Sequence, residues 1–185
     1  MADKYQNKYR IQSARLWSWD YNSNAAYFIT ICTGNREHYF GEIIQHNMQL
    51  SEIGKKANDN WLDIPNHFSF VVLDAFIIMP NHIHGIIVID KPIAETLHAT
   101  SLQSSESPSI KDKIMADISP KPGSLSTIIR SFKSSVTKWC NENKIQFSWQ
   151  SRFHDHIIRN NDEFWRIQNY IINNPANWKE DKFNK

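Results

Sequence analysis

Long apolar runs are missing from this chain. No stretch approaches the roughly 20 consecutive apolar residues that a bilayer-spanning helix needs, which excludes a helical membrane protein. Cysteine is scarce too: only Cys32 and Cys140, each inside an apolar segment. Two such residues do not make a disulfide framework and read as reduced core side chains. A surplus of one charge is also lacking. The 21 Lys and Arg residues face 19 Asp and Glu, a formal net charge of +2, so bulk charge does not mark a nucleic-acid binder. The N-terminus is polar and shows no signal-peptide apolar stretch, so a cytoplasmic location is the expectation.

What is present is globular. The 185 residues are 41% hydrophobic and 22% charged, which suits one domain with a real core. Aromatic residues make up 12%, with tryptophan at positions 17, 19, 61, 139, 149, 165 and 178. Many must be core, but such rings also stack on unpaired bases. Basic residues cluster locally. Lys4, Lys8, Arg10 and Arg15 face a single early acid, Asp3; Arg130, Lys133 and Lys138 share one segment; Arg152, Arg159 and Arg166 follow. Any one cluster alone reads as ordinary solvated surface.

The apolar pattern predicts the elements. Residues 25–33, β-branched and aromatic, read as a buried strand ending at Gly34. Residues 40–50 read as a short hairpin turning near His46-Asn47. Ser51 can cap a helix running to about Leu62, stopped before Pro65. Residues 68–79 and 82–89 read as two strands meeting at the Pro80-Asn81 break, their register not legible from the pattern. Residues 90–123, rich in serine with added proline and glycine, read as a flexible insertion within a single domain. A helix over about 124–143 carries Leu125, Ile128, Ile129, Phe132, Val136, Trp139 and Cys140 at helical spacing. A strand over 147–158 and a last helix from about Asn161 to Asn174, ended by Pro175, complete an α+β chain with an antiparallel sheet on one side.

Two groups of residues can do chemistry. His82 and His84 alternate around Ile83, so both point to one face of their strand. Two imidazoles roughly 7 Å apart can lean onto one metal ion, although two satisfied histidines at a sheet edge fit the same pattern. Gly85 leaves room for a close approach by backbone or ligand. On the last helix, Tyr170 and Asn174 are four apart and share a face with Arg166 one turn earlier; a boundary tyrosine with its hydroxyl in water is the plainer alternative. A phenol, with a pKa of about 10, is a weak nucleophile at neutral pH. Attack on a phosphodiester would therefore need a divalent ion at the phosphate, and would leave a phosphotyrosine.

His82-Ile83-His84, following Ile78-Met79-Pro80-Asn81, resembles the HUH motif of small single-tyrosine transposases. More closely, the chain resembles the REP-associated tyrosine transposases, a branch of the insertion-sequence 200-like family. The matching stretches run nearly end to end: Trp19-Asp20-Tyr21, Tyr27-Phe28-Ile29-Thr30-Ile31-Cys32, Phe40-Gly41, Met79-Pro80-Asn81-His82-Ile83-His84-Gly85, Phe132-Lys133-Ser134, His154-Asp155-His156-Ile157-Ile158-Arg159 and Tyr170-Ile171-Ile172-Asn173-Asn174-Pro175. Residues 90–123 and the two ends lack a match.

The resemblance implies a ferredoxin-like antiparallel sheet with helices packed on it, the histidines on a central strand and Tyr170 as nucleophile on the helix beside it. It implies magnesium or manganese, held by His82, His84 and Asn174, the polar residue four after the tyrosine. It implies a 5′-phosphotyrosine intermediate, a free 3′-hydroxyl, and single-stranded DNA ends carrying hairpins as substrates of transposition. Relatives work either as dimers with shared active sites or as monomers, and both arrangements stay open here. His154 and His156 alternate onto one face and either touch DNA or merely flank the sheet. Lys133 and Arg159, together with Arg130, Arg152 and Arg166, are expected phosphate contacts. Arg15, Trp19 and Tyr21 either form a hairpin-binding arm or tuck against the core. The competing reading is a DNA-binding or regulatory protein that no longer cuts.

Overall fold

The computed structural model describes residues 19–92 and 121–184. Arg15 and most of the expected insertion lie outside the described residues. The elements are β1 (Ala25–Cys32), β2 (Gly41–Ile44), β3 (Asn47–Leu50), α1 (Glu52–Leu62), α2 (Ile64–His67), β4 (Val71–Met79), β5 (His82–Ile89), α3 (Leu125–Glu142), β6 (His154–Ile158) and α4 (Asn161–Ile172). One four-stranded sheet has the order β4-β5-β1-β6, and β2 and β3 form a separate hairpin. Every pairing is antiparallel. The fold class is therefore α+β, an antiparallel sheet with helices packed against it. No described helix is long and apolar enough to cross a membrane.

Alternation sorts the strands into two faces. Tyr27, Ile29 and Ile31 of β1 and Ile83, Ile87 and Ile89 of β5 join α1 and α3 in the main core through Trp61, Ile128 and Phe132. Phe28 and Ala26 of β1 and Ile86 and Val88 of β5 face the other way, onto Ile167 and Ile171 of α4. His82 and His84 have even numbers and so lie on the α4 face. Both strands are covered on both sides, which is why they read as near-continuous apolar runs.

Local chemistry sets the element ends. Ser51 caps α1, its side chain accepting from the Gly54 amide. Pro65 does not merely stop that helix: it sits in the first turn of the short α2, where a missing amide hydrogen costs nothing. The hairpin turns one residue earlier than expected, on Gln45 and His46, both with positive φ of 48° and 64°, as a two-residue turn between twisted strands requires. Asn160, rather than Asn161, caps α4 by accepting from the Glu163 amide. The strand expected over 147–158 is regular only from His154; before it, a single bridge joins Trp149 to Thr33. Trp149 turns its indole inward instead, donating to the Lys133 carbonyl at 3.1 Å.

The register between β4 and β5 contains a bulge: Leu73 pairs with Ile87, but Phe76 pairs with Gly85. The extra residue puts Leu73 and Phe76 on the core face and Ala75, Ile77 and Met79 on the α4 face. It also frees the Asp74 carboxylate to accept from Gln168 Nε2 of α4 at 2.9 Å, tying the last helix to the sheet. Gly85 is explained from the core side. A Cβ there would land on the Trp61 ring and lie 3.1 Å from Phe76 Cβ, so the close approach is by a side chain of α1, not a ligand. Gly85→Ala is expected to destabilise the fold by about 1–3 kcal/mol through overpacking, measured by denaturant unfolding. An unchanged midpoint would mean the Trp61 ring can shift freely.

Candidate active site

The sheet lays the site out in rows. Met79, His82 and Cys32 are cross-strand partners in one row, and Ile77, His84, Thr30 and His154 in the next. The imidazole centroids of His82 and His84 are 4.5 Å apart, closer than two strand positions would impose, so the rings do lean together. Both are buried, at 0% and 1% exposure, as is Asn174 at 1%, whereas Tyr170 is 43% exposed. The phenol of Tyr170 reaches in from α4: its hydroxyl lies 3.2 Å from His84 Nε2, with the rings 5.2 Å apart. The nucleophile candidate and the histidine pair thus meet within one chain.

Hydrogen bonds fix the rings. The Asn81 amide nitrogen donates to the Phe183 carbonyl at 2.7 Å and the Arg36 carbonyl at 3.2 Å. Its oxygen must then be the atom facing His82 Nδ1 at 2.9 Å, so Nδ1 carries the proton and donates. His82 Nε2 is left with a lone pair and no partner. His84 Nδ1 is 2.9 Å from Thr30 Oγ1, and the matching tautomer lets Nε2 accept from Tyr170. Among the described residues, four buried side-chain polar atoms lack a hydrogen-bond partner; two of them, His82 Nε2 and Asn174 Oδ1, belong to this site. Orphaned acceptors of this kind are rare in folded proteins. Lone pairs on two imidazoles and an amide oxygen, with the far ring nitrogen of His82 anchored by a partner, are the donor set a divalent ion takes.

Burial lowers the His82 pKa to about 2, helped by the charges of His84, Arg36 and Lys182. Burial likewise lowers His84 to about 3, with Lys182 adding to the effect and a backbone hydrogen bond at Ile29 opposing it. Both rings are therefore neutral and free to ligate at neutral pH. Burial raises the Tyr170 pKa, the Asp181 carboxylate raises it further, and a hydrogen bond with Asn174 opposes them.

These shifts predict a pH dependence of the metal-free protein. In the unfolded chain each histidine takes up a proton near pH 6.5, while the native state does not until about pH 2–3. Stability is therefore expected to fall on acidification from pH 6.5 to 4.5, by up to about 3 kcal/mol per pH unit for the pair, and to be insensitive to it above that window. Urea unfolding in chelator at pH 7.5, 5.5 and 4.5 reads this directly. A flat profile, or one unchanged when both histidines are replaced, would contradict the neutral buried pair.

One ligand-bearing residue escaped the sequence reading. Asp181 follows the short 3₁₀ turn Trp178–Glu180, and its carboxylate joins His82 and His84 in a trio whose ligand atoms lie within 4.8 Å of one another, a group that could hold a metal ion. It sits in a polar C-terminal stretch with no periodic signal. Trp178 and Phe183, two aromatics in that stretch, were the available hint, since both are buried.

The remaining expected residues divide. His154 shares the Thr30 row and is exposed beside the site. His156 instead pairs with Glu163 Oε1 at 2.7 Å, and Arg166 approaches the same carboxylate at 3.7 Å. The Arg159 amide donates to Glu163 Oε2, leaving its exposed side chain at the β6–α4 junction; Arg152 is exposed just before β6. Arg130 and Lys133 lie on α3, across the sheet from the histidines, in a groove of about 750 Å³ with Trp149 and Phe153. Lys133 is half-buried and donates to the Gln150 carbonyl at 2.6 Å. Trp19 donates to the Tyr27 hydroxyl at 3.0 Å and Tyr21 stacks on Tyr27 at 5.9 Å. Tyr21 therefore packs against the core at the far end of β1 from the histidines, while Trp19 stays 37% exposed beside it.

The fold agrees with that of a solved protein. The chain superposes on the structure of a REP-associated tyrosine transposase bound to a REP hairpin, with a TM-score of 0.57 and 16% identity, covering 91% of this chain and 76% of that one. The two share the fold of a tyrosine transposase. In sequence, the chain is 38% identical over 175 residues to an uncharacterized protein of Haemophilus influenzae, covering 92% of this chain and 91% of the relative, and it belongs to the same family as that protein. No family model matches it.

Proposed function

We propose that the protein is a metal-dependent single-stranded DNA endonuclease and transesterase of the tyrosine-transposase type, acting at hairpin-bearing DNA ends. The observation that carries this reading is the 3.2 Å contact between the Tyr170 hydroxyl and the buried His84 ring, beside two orphaned metal-type donors. The likeness to a transposase that binds a REP hairpin supports the substrate class.

His82, His84 and Asn174 would hold the ion, magnesium or manganese. When bound, it supplies Lewis-acid polarisation of a non-bridging phosphate oxygen. Tyr170 is half-exposed, so its oxygen can reach a phosphate arriving from solvent while its ring stays packed edge-on to Phe28 at 6.1 Å. The phenol oxygen attacks phosphorus and the bond to the 3′ oxygen breaks. The phenol proton ends on the departing 3′-hydroxyl, and a 5′-phosphotyrosine remains. That ester keeps the phosphoryl bond energy, so a 3′-hydroxyl can reverse the step and rejoin strands without a nucleotide cofactor. His154, beside the site, with Arg152 and Arg166 would position the backbone there; Arg159, at the far end of β6, would meet it only further along. Arg130 and Lys133 would serve DNA only along the α3 groove.

The test is cleavage of end-labelled single-stranded hairpin DNA with manganese. The expected products are a free 3′-hydroxyl strand and a protein-linked 5′ strand, both lost in chelator. Tight DNA binding with no nick under any divalent ion would favour the non-cleaving reading.

A further inference from the structure

We propose that Asp181 is an anionic ligand of the His82–His84 centre, delivered by the segment that follows the last helix. The inference rests on the metal site of the reading above and not on its DNA chemistry. Among the described residues, no other trio of histidine, cysteine or carboxylate side chains gathers its ligand atoms as this one does, within 4.8 Å. Ligands about 2.0–2.2 Å from one ion lie roughly 3–4 Å apart, so only a small contraction separates the trio from coordination.

The segment is held in place rather than trailing. Phe183 lies against the His82 ring, tilted by 37° at 4.5 Å between centroids, and its carbonyl accepts from Asn81 at 2.7 Å. The Arg36 guanidinium lies over the Phe183 ring, 4.4 Å from its centroid. Trp178 lies 6.0 Å from His82 and is buried with Met79 and Cys32. Asp181 itself accepts from the Phe183 amide at 2.7 Å and from Asn174 Nδ2 at 3.3 Å. The second contact turns the amide nitrogen of Asn174 toward Asp181 and leaves its oxygen as the orphaned acceptor. One carboxylate thus both faces the ion site and orients a second donor in it.

Charge argues the same way. Two neutral imidazoles and an amide would hold a doubly charged ion with no compensating charge, next to the cations Arg36 and Lys182 that depress His82. A carboxylate offsets this, and shifts the donor set from one suited to zinc or copper toward one suited to magnesium or manganese. A residue that merely closed the turn at Phe183 would need no such charge.

The experiment is titration of the full-length protein with Mn2+ alone, without DNA, reading free Mn2+ by electron paramagnetic resonance. Asp181→Asn is expected to weaken binding more than about 100-fold, beyond the roughly 10–100-fold that an indirect partner of a metal ligand is worth, and Asp181→Glu to recover part of it. Wild-type affinity in Asp181→Asn overturns the proposal. Should Asp181→Asn fail to fold, a Mn2+-soaked crystal of the unaltered protein decides: a carboxylate oxygen of Asp181 about 2.2 Å from the ion supports it, and an ion held without that oxygen overturns it. Mn2+ binding that depends on Asp181, in a protein that cuts no DNA, would sink the endonuclease reading and leave this one standing. DNA cleavage with Mn2+ affinity indifferent to Asp181 would do the reverse. No Mn2+ binding at all would sink both.

Discussion

Replacing Tyr170 with phenylalanine is expected to abolish the covalent protein–DNA product while leaving DNA binding nearly intact. The substitution removes one oxygen and keeps the ring that packs edge-on to Phe28. Losing a nucleophile costs roughly 10⁴-fold or more in rate. Losing one hydroxyl hydrogen bond costs only about 0.5–1.5 kcal/mol, so DNA affinity should change by less than about tenfold. The fold should not suffer either, because the hydroxyl contact to His84 is made at a half-exposed position. Labelled hairpin DNA run on a denaturing protein gel separates the two effects. A shifted, labelled protein band persisting in Tyr170→Phe would remove Tyr170 from the mechanism.

The second large effect is expected at the histidines. His82→Ala and His84→Ala should each weaken Mn2+ binding by more than about 100-fold and stop cleavage. The two need not be equal in chelator. His82 holds its ring through Asn81 and leaves Nε2 orphaned, whereas His84 satisfies both nitrogens, through Thr30 and Tyr170. Removing an already unpartnered acceptor forfeits less, so metal-free His82→Ala should lose less stability to broken hydrogen bonds than His84→Ala. Calorimetric Mn2+ titration and urea unfolding read both quantities. Unaltered Mn2+ affinity in both single variants would mean that the pair is structural, and the metal centre would fall with it.

How much of this was legible in the sequence follows from the physics of each element. Period-two alternation put His82 and His84 on one face of β5, and helical spacing put Tyr170 and Asn174 on one stripe of α4, because those patterns are local. That the two faces meet was carried by resemblance, not by pattern: it depends on α4 packing under Ile86 and Ile158. The β4 register was not legible, because it turns on one extra residue near Asp74-Ala75 that no composition signal marks. Asn81 read only as a strand break, yet it selects the His82 tautomer through contacts to Arg36 and Phe183, one of them 102 residues away. Asp181 was invisible for the same reason. A carboxylate among Lys179, Glu180 and Lys182 reads as solvated tail until Trp178 and Phe183 are seen buried over His82. Gly85 was noted as an opening for a ligand, and its neighbour proved to be Trp61 on the opposite face.

Locating the attached nucleotide tests the central claim most directly. The protein is allowed to cut hairpin-bearing single-stranded DNA with manganese, the DNA is trimmed by nuclease, and the tryptic peptides are weighed and fragmented. The peptide spanning residues 167–179 contains Tyr170 as its sole tyrosine and is expected to gain the mass of a 5′-phosphonucleotide on that side chain. A nucleotide found on any other residue, or an unmodified 167–179 peptide alongside cleaved DNA, would contradict the account.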